Sequence, residues 1–466
     1  MIPSIVPAFR AVRVLPGWMN LPAETRVFAV EERLAGLVEV LDGEFSRLMG
    51  IGCKLSRTVE QAEIVLETDT RLADEEYRLE IEDQAVVTGG SPGAVAMGTV
   101  SLLQLLAKKN GRPALPRLSA RDRPHSPYRG LMLDLARTWH DFEILKQAVV
   151  LCRWYKINHL HLHLTDSESF TFPCKAFPRI VTKGRHYTLA QLRRLESFAT
   201  ARGVTLVPEL DVPGHSGAMI SAMPELFGIQ HWKKSPLVLN MGREKVYRAL
   251  DIIIGEMTAV FRASPYFHIG CDEVSMDFHE EDPDVRRTIA RCKLRCVHEL
   301  YRHFLCRMNE IVKKHDKQTL VWEGFGRFGQ VQIPRDIIVF EFETLFNLPG
   351  QLLKDGYRLV NTSWQPLYVA PRGKWDPEYI YRWNLSRWEN WWEKAPSHDP
   401  IQLKPTPRII GAEMCSWANP GTEEIPLLRR RLPAMAERIW VPDRRGSVAD
   451  FLKRLKATDR RLDRLL

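Results

Sequence analysis

The chain has 466 residues, 45% hydrophobic and 26% charged, which is ordinary globular material and too long for one compact module of usual size. No run approaches the roughly 20 consecutive apolar residues of a membrane-spanning helix, and the opening MIPSIVPAFRAVRVLPG lacks a basic-then-apolar leader, so a transmembrane protein is excluded and secretion is not expected. The 66 Lys and Arg behind the net charge of +9 are interleaved with 57 Asp and Glu, the pattern of a solvated surface; neither nucleic acid nor a membrane is expected as a partner. Eight cysteines at irregular spacing, without a Cys-x-x-Cys pair, fit neither a disulfide framework nor a zinc site, so a reducing cytoplasm is expected.

Residues 1–122 carry short alternating segments, AEIVLET (62–68) and EYRLEIEDQAVV (76–87), and then the apolar helical run AVAMGTVSLLQLLAKK, which predicts a small α+β domain. The Pro- and Arg-rich stretch 111–128 reads as a linker. Residues 123–466 predict a second domain with eight apolar strands, at 129–134, 157–164, 204–210, 266–270, 319–324, 337–342, 358–364 and 408–417. Helical patterns lie between most of them, including 142–156, 189–203, 244–262 and a long one over 288–315. Eight strands alternating with helices predict an α/β fold, a (β/α)8 barrel of the TIM type. The locally basic end from Arg429 reads as a closing surface helix.

In such a barrel the site forms where the strands end. Those ends offer Asp134 with Arg137, Asp166 with Glu168, Glu209 with Asp211 and His215, Asp272 with Glu273, Trp322 with Glu323, Glu341 with Glu343, Trp364 and Trp417. One carboxylate at a strand end is commonly a helix cap, but acids at most ends with Trp at others favour a polar site walled by aromatics. The adjacent pair Asp272 and Glu273 stands out, because consecutive side chains point in different directions and take different protonation states. Six of the 13 tryptophans fall between 364 and 392, and indole packs on the apolar face of a sugar ring. Trp388, Trp391 and Trp392 have helical spacing and are expected to pack an inserted loop, leaving Trp322, Trp364 and Trp417 as site candidates. His159, His161 and His163 share one strand face, and His-x-His on an early barrel strand also serves zinc hydrolases. Without further convincing ligands beyond His215 and Asp272, histidines bonded to backbone or to a neighbouring acid are the commoner outcome, and no metal is expected.

The ordered segments RGLMLD, HLHLTD, VPELDVPGH, HIGCDEV, LVWEG, GAEMCSW and AERIW resemble glycoside hydrolase family 20, the β-N-acetylhexosaminidases, and residues 77–106 resemble that family's accessory domain. The resemblance implies exo-acting, retaining hydrolysis of terminal GlcNAc or GalNAc without a cofactor, the substrate's own acetamido oxygen attacking to give an oxazolinium intermediate. It implies Glu273 as general acid/base, Asp272 as the group that orients the acetamide, and Tyr368 as donor to its oxygen. Arg129 would hold sugar hydroxyls, Asp166 and His215 would support Glu273, and Trp322 and Trp417 would wall the pocket.

Departures from the family pattern are Cys271 in place of a second Gly, Asp166-Ser167-Glu168 in place of an Asp pair, Ala370 in place of the acid after Tyr368, and Asn419 in place of the acid of Trp-x-Glu. Recognition of the sugar's 4- and 6-positions is therefore expected to differ, with Asn419 lining the site and Glu341, Glu343 or the Trp-rich insertion as replacements. Two rival functions remain: a catalytically silent sugar-binding barrel, and a metal-dependent amidohydrolase using His161 and His163.

Overall fold

The computed structural model describes residues 4–371, 373–443 and 446–466. An N-terminal mixed sheet holds β1 (Ala11–Asn20), β2 (Glu24–Ala29), β3 (Gly52–Leu55), β4 (Ile64–Thr68), β5 (Tyr77–Ile81), β6 (Ala85–Gly89), β7 (Ala107–Lys109) and β8 (Arg112–Asp122), in the order β1-β8-β5-β6-β4-β2-β3 with β7 beside β8. Helices Ala35–Met49 and Pro92–Leu105 accompany it, the second opened by Ser91, whose side chain accepts the Ala94 N–H.

The expected linker at 111–128 is corrected here, since most of it is β8, paired with β1, β5 and β7. Its prolines hid it. Pro116 lies where the β1–β8 register slips between Val14 and Trp18, and an irregular position tolerates the missing N–H.

From residue 128 the chain builds a closed parallel barrel. Its strands are β9 (Tyr128–Asp134), β10 (His159–His163), β11 (Thr205–Glu209), β12 (Tyr266–His268), β13 (Gln318–Trp322), β14 (Ile338–Glu341) and β15 (Arg358–Asn361). After the short β16 (Tyr368–Ala370), β17 (Gly373–Lys374), β18 (Arg387–Trp388) and β19 (Ile401–Gln402) comes β20 (Ile409–Ser416), which pairs with both β15 and β9 and closes the ring. Alternation sorts the side chains. Leu160 and Leu162 of β10 join the large core between strands and helices, whereas Tyr128, Met132, Val207, Leu320, Phe340 and Val360 fill the bore as a separate apolar cluster. Helices Phe142–Trp154, Leu189–Thr200 and Glu244–Thr258 cover the outside, Leu189–Thr200 starting with a capping box between Thr188 and Gln191.

Two other expectations are corrected. The long helix over 288–315 is two helices, Pro283–Arg291 and Val297–Lys314, separated by a turn in which Lys293 takes a left-handed φ of 53°. The basic end is helical and closes the fold as expected, but as two helices: Gly421–Trp440 packs on the barrel, and Val448–Leu462 lays one buried face against the N-terminal domain. There Arg461 donates to Gln104 O and Arg464 to Leu48 O, and Phe451 and Leu462 are buried. No helix among the described residues is long and apolar enough to cross a membrane.

Candidate active site

The carboxyl ends of the barrel strands converge on one cleft. Leaving β12, the backbone turns sharply at Gly270, whose φ is 66° and where a Cβ would stand 1.7 Å from Asp211 Oδ1. Cys271 follows with φ 77°, a conformation that favours glycine, and Glu273 has φ 47°. His215 in the loop after β11 and Ala418 after β20 are also left-handed, at 48° and 53°, so backbone strain collects around this cleft.

That turn sends the two acids into different surroundings. Asp272 is turned inward, and its Oδ1 is buried with no hydrogen-bond partner among the described residues. Burial pushes its carboxyl up to about 6 against the opposing pull of His215, and Glu273 adds to the rise. The Glu273 side chain is 55% exposed, with Oε2 standing 3.3 Å from His215 Nε2. That contact holds the Glu273 carboxyl below its usual range. Asp166 Oδ1 lies 3.1 Å from His215 Nδ1 on the other side of the ring. Burial works against the charged form of His215, but Asp211, Asp272, Asp166 and Glu273 outweigh it and hold its pKa far above the ordinary imidazole value.

Aromatic rings gather at the same strand ends, with Tyr368 near enough to feel the charge of Asp272. Trp322 ends β13 and lies 5.9 Å from Trp417; Tyr368 lies 5.9 Å from Trp417, 5.7 Å from Trp364 and, parallel, 6.2 Å from Phe342. Asn419 is buried, and its Nδ2 is committed to Val369 O at 2.8 Å and Ser416 Oγ at 2.9 Å, so this side chain braces the corner between β16 and β20.

The fold thus brings Asp166, His215, Asp272, Glu273, Trp322, Trp364, Tyr368 and Trp417 together, with Asn419 beneath them. It does not bring Arg129. That side chain sits at the opposite, amino end of the barrel, fully buried, donating to Glu75 at 2.7 Å, to Lys156 O and to Ser126 O, with its guanidinium 5.3 Å from the Trp440 ring centroid. Expecting it at the sugar was an error of barrel end. Arg137, just past the carboxyl end of β9, occupies the cleft instead: its Nη2 lies 2.7 Å from Asp166 Oδ2 and its guanidinium 4.9 Å from the Trp417 ring centroid.

The Trp-rich insertion also differs from expectation. No helix spans 388–392; Trp388 is buried in β18, while Trp391 is 57% exposed and stacks on Trp364 at 5.5 Å with an interplanar angle of 8°. Of the suggested replacement acids, Glu341 alternates with the bore-facing Phe340 and Phe342 and so points away from the cleft. Glu343 faces it: burial and the nearby carboxylates of Glu273, Glu323 and Asp272 push its carboxyl up to about 8.

The histidines of β10 line the bore. His161 Nδ1 lies 2.9 Å from Glu413, and His163 bridges Glu209 and Asp166 at 2.5 and 2.9 Å. Groups such as His161, Glu209 and His268 are close enough to share a cation. Their imidazoles are engaged with carboxylates, however, the outcome expected for buried histidines bonded to acids.

Comparison with known proteins places this architecture. Residues 126–443 match the catalytic domain of glycosyl hydrolase family 20 and residues 2–123 match domain 2 of the same family. The chain belongs to glycosyl hydrolase family 20. Among curated relatives, a beta-hexosaminidase of Vibrio furnissii is 28% identical over 399 residues, covering 76% of this chain and 63% of the relative. One of Porphyromonas gingivalis is 26% identical over 452 residues, covering 86% of this chain and 55% of the relative, so this chain spans less than two thirds of either. The crystal structure of an exo-β-N-acetylglucosaminidase from Vibrio harveyi in complex with N-acetylglucosamine shares the fold, with a TM-score of 0.84 at 24% identity over 100% of this chain and 78% of that one.

Proposed function

We propose that this chain is an exo-β-N-acetylhexosaminidase that removes terminal β-linked GlcNAc or GalNAc with retention, by substrate-assisted catalysis. The observation that carries the reading is the split environment of Asp272 and Glu273: a buried acceptor oxygen close to a cluster of aromatic rings, and next to it an exposed acid on an imidazole. An acetamido group seated between Trp322, Phe342, Tyr368 and Trp417 would offer its N–H to Asp272 Oδ1. Its carbonyl oxygen, held by the Tyr368 hydroxyl, attacks the anomeric carbon while the bond to the leaving oxygen breaks and that oxygen takes the Glu273 proton. The ionised Asp272 stabilises the positive oxazolinium. Water then adds to the anomeric carbon, the Glu273 carboxylate accepts its proton, and the ring opens to the retained sugar. A glycan covering Glu273 removes it from water and raises its carboxyl towards the protonated form this step needs.

Arg137 is placed to hold sugar hydroxyls in the role first expected of Arg129, and the Trp364–Trp391 pair offers a face to whatever the terminal sugar is attached to. The names of the curated relatives and the N-acetylglucosamine held by the Vibrio harveyi protein support the substrate class. Glu273→Gln and Asp272→Asn should each lower turnover of a chromogenic β-GlcNAc by about 100-fold or more with the fold intact; near-normal rates in either would sink the reading. A thiazoline mimic of the oxazolinium should block the reaction. Tight binding of that mimic without turnover would point instead to the silent sugar-binding barrel, a reading against which the retained pair Asp272 and Glu273 speaks.

A further inference from the structure

Beneath the cleft, one fully buried carboxylate serves an unusual number of neighbours. Glu209 Oε1 accepts the Trp322 indole N–H at 2.7 Å and lies 2.9 Å from His268 Nδ1; Oε2 lies 2.5 Å from His163 Nδ1 and 3.2 Å from His161 Nε2. From Glu209 the contacts run upward through His163 Nε2 to Asp166 Oδ2 at 2.9 Å, Asp166 Oδ1 to His215 Nδ1 at 3.1 Å, and His215 Nε2 to Glu273 Oε2 at 3.3 Å. Downward they pass through His161 Nδ1 to Glu413 Oε1 at 2.9 Å and end where the Tyr128 hydroxyl donates to Glu413 Oε2 at 2.8 Å. Seven groups, carboxylate and imidazole in turn, run from the floor of the barrel to the acid at its mouth.

We propose that Glu209 is a positioning residue for Glu273, acting through His163, Asp166 and His215, and that the same carboxylate fixes the Trp322 wall of the acetamide pocket. This rests on Glu273 being the acid/base. An imidazole can donate from both nitrogens only when protonated. His163 faces a carboxylate at each nitrogen, and Glu209, Asp166 and Asp134 favour its charged form over the cost of burial. A charged His163 in turn keeps Asp166 ionised, and Asp166 fixes the ring and charge of His215 against Glu273. The other charged groups facing this string are Asp211 and Asp272 beside Glu209 and His215, Glu168 and Arg137 at Asp166, and Glu343 beyond Glu273. Packing alone would be served by an apolar side chain at 209; a carboxylate there has a use in holding the imidazoles charged.

Glu209→Gln keeps an acceptor for Trp322 but removes the charge. His163 then needs only one N–H, and its positive charge is lost nearer to Glu273 than the negative charge of residue 209. The Glu273 carboxyl therefore rises. In the full chain, the alkaline limb of kcat for a chromogenic β-GlcNAc, which belongs to Glu273 in the substrate complex, should move up by about half a pH unit or more, with kcat at its optimum down about tenfold and KM within about twofold. Ring 15N shifts at pH 7 should show His163 doubly protonated in the wild type and neutral in the variant. A structural role alone would lower the number of thiazoline-titratable sites and leave the limb and the ring shifts in place, which overturns the proposal. If Glu209→Gln does not fold, His163→Gln breaks the next link and should move the limb the same way; an unmoved limb there also overturns it. A wild type inactive on the substrate overturns the hexosaminidase reading instead, and the His163 shifts, which need no substrate, then decide whether Glu209 holds the string.

Discussion

Asp272 shows how much a single turn decides. Its neighbour in sequence meets solvent, yet burial pushes its own carboxyl up to about 6. Only the ionised form stabilises a positive oxazolinium, so kcat should fall by up to about tenfold per pH unit as Asp272 protonates in the substrate complex, and Asp272→Asn should lose that acid limb along with most of its rate. A pH profile of both proteins checks this. The pair itself was legible from HIGCDEV, because two acids after an apolar strand carry their own signal. The arginine was not. Arg129 and Arg137 flank the same strand, and only strand direction says which end opens on the cleft: Arg137 follows Asp134 at the carboxyl end, whereas Arg129 follows Tyr128 at the floor. Glu209 was visible as a strand-end acid, but its four partners come from β10, β12 and β13, distances no local pattern encodes.

Among the elements, helix Val448–Leu462 shows a surface-like sequence put to interior use. Arg454 donates to both oxygens of Glu437, at 3.2 and 2.7 Å, and to Ile5 O at 2.8 Å, with its side chain 5% exposed. Arg454→Ala removes three charge-assisted or buried hydrogen bonds while Glu437 keeps the Ala8 N–H at 2.9 Å, so it should cost about 1–3 kcal/mol in equilibrium urea unfolding. Barrel strands could be read from apolar runs because both faces of each are buried. β8 and the break at Lys293 could not: prolines masked the first, and the second contains neither Gly nor Pro and depends on one left-handed lysine. Trp391 was mistaken for packing because three tryptophans at helical spacing mimic an amphipathic face, and only the observed loop turns one of them outward onto Trp364.

At the scale of the whole molecule, α/β alternation and the count of eight strands predicted the barrel, whose bore pairs histidines with carboxylates. Because the bore histidines are matched to Glu209, Glu413 and Asp166, prolonged dialysis against a chelator should leave turnover of the chromogenic substrate unchanged. Loss of activity restored by zinc would favour the amidohydrolase reading.

The floor of the barrel carries two buried cations whose counter-charges arrive from the N-terminal domain: Arg129 pairs with Glu75, and Lys156 Nζ reaches the Tyr77 hydroxyl at 2.8 Å and Asp122 at 3.5 Å. Burial has already pulled that lysine down to about 8. Neither half is therefore a cassette. A gene fusion that grafts residues 123–466 onto a foreign partner would inherit two orphaned cations, and any recombination that keeps the barrel must bring Glu75, Tyr77 and Asp122 along as a set.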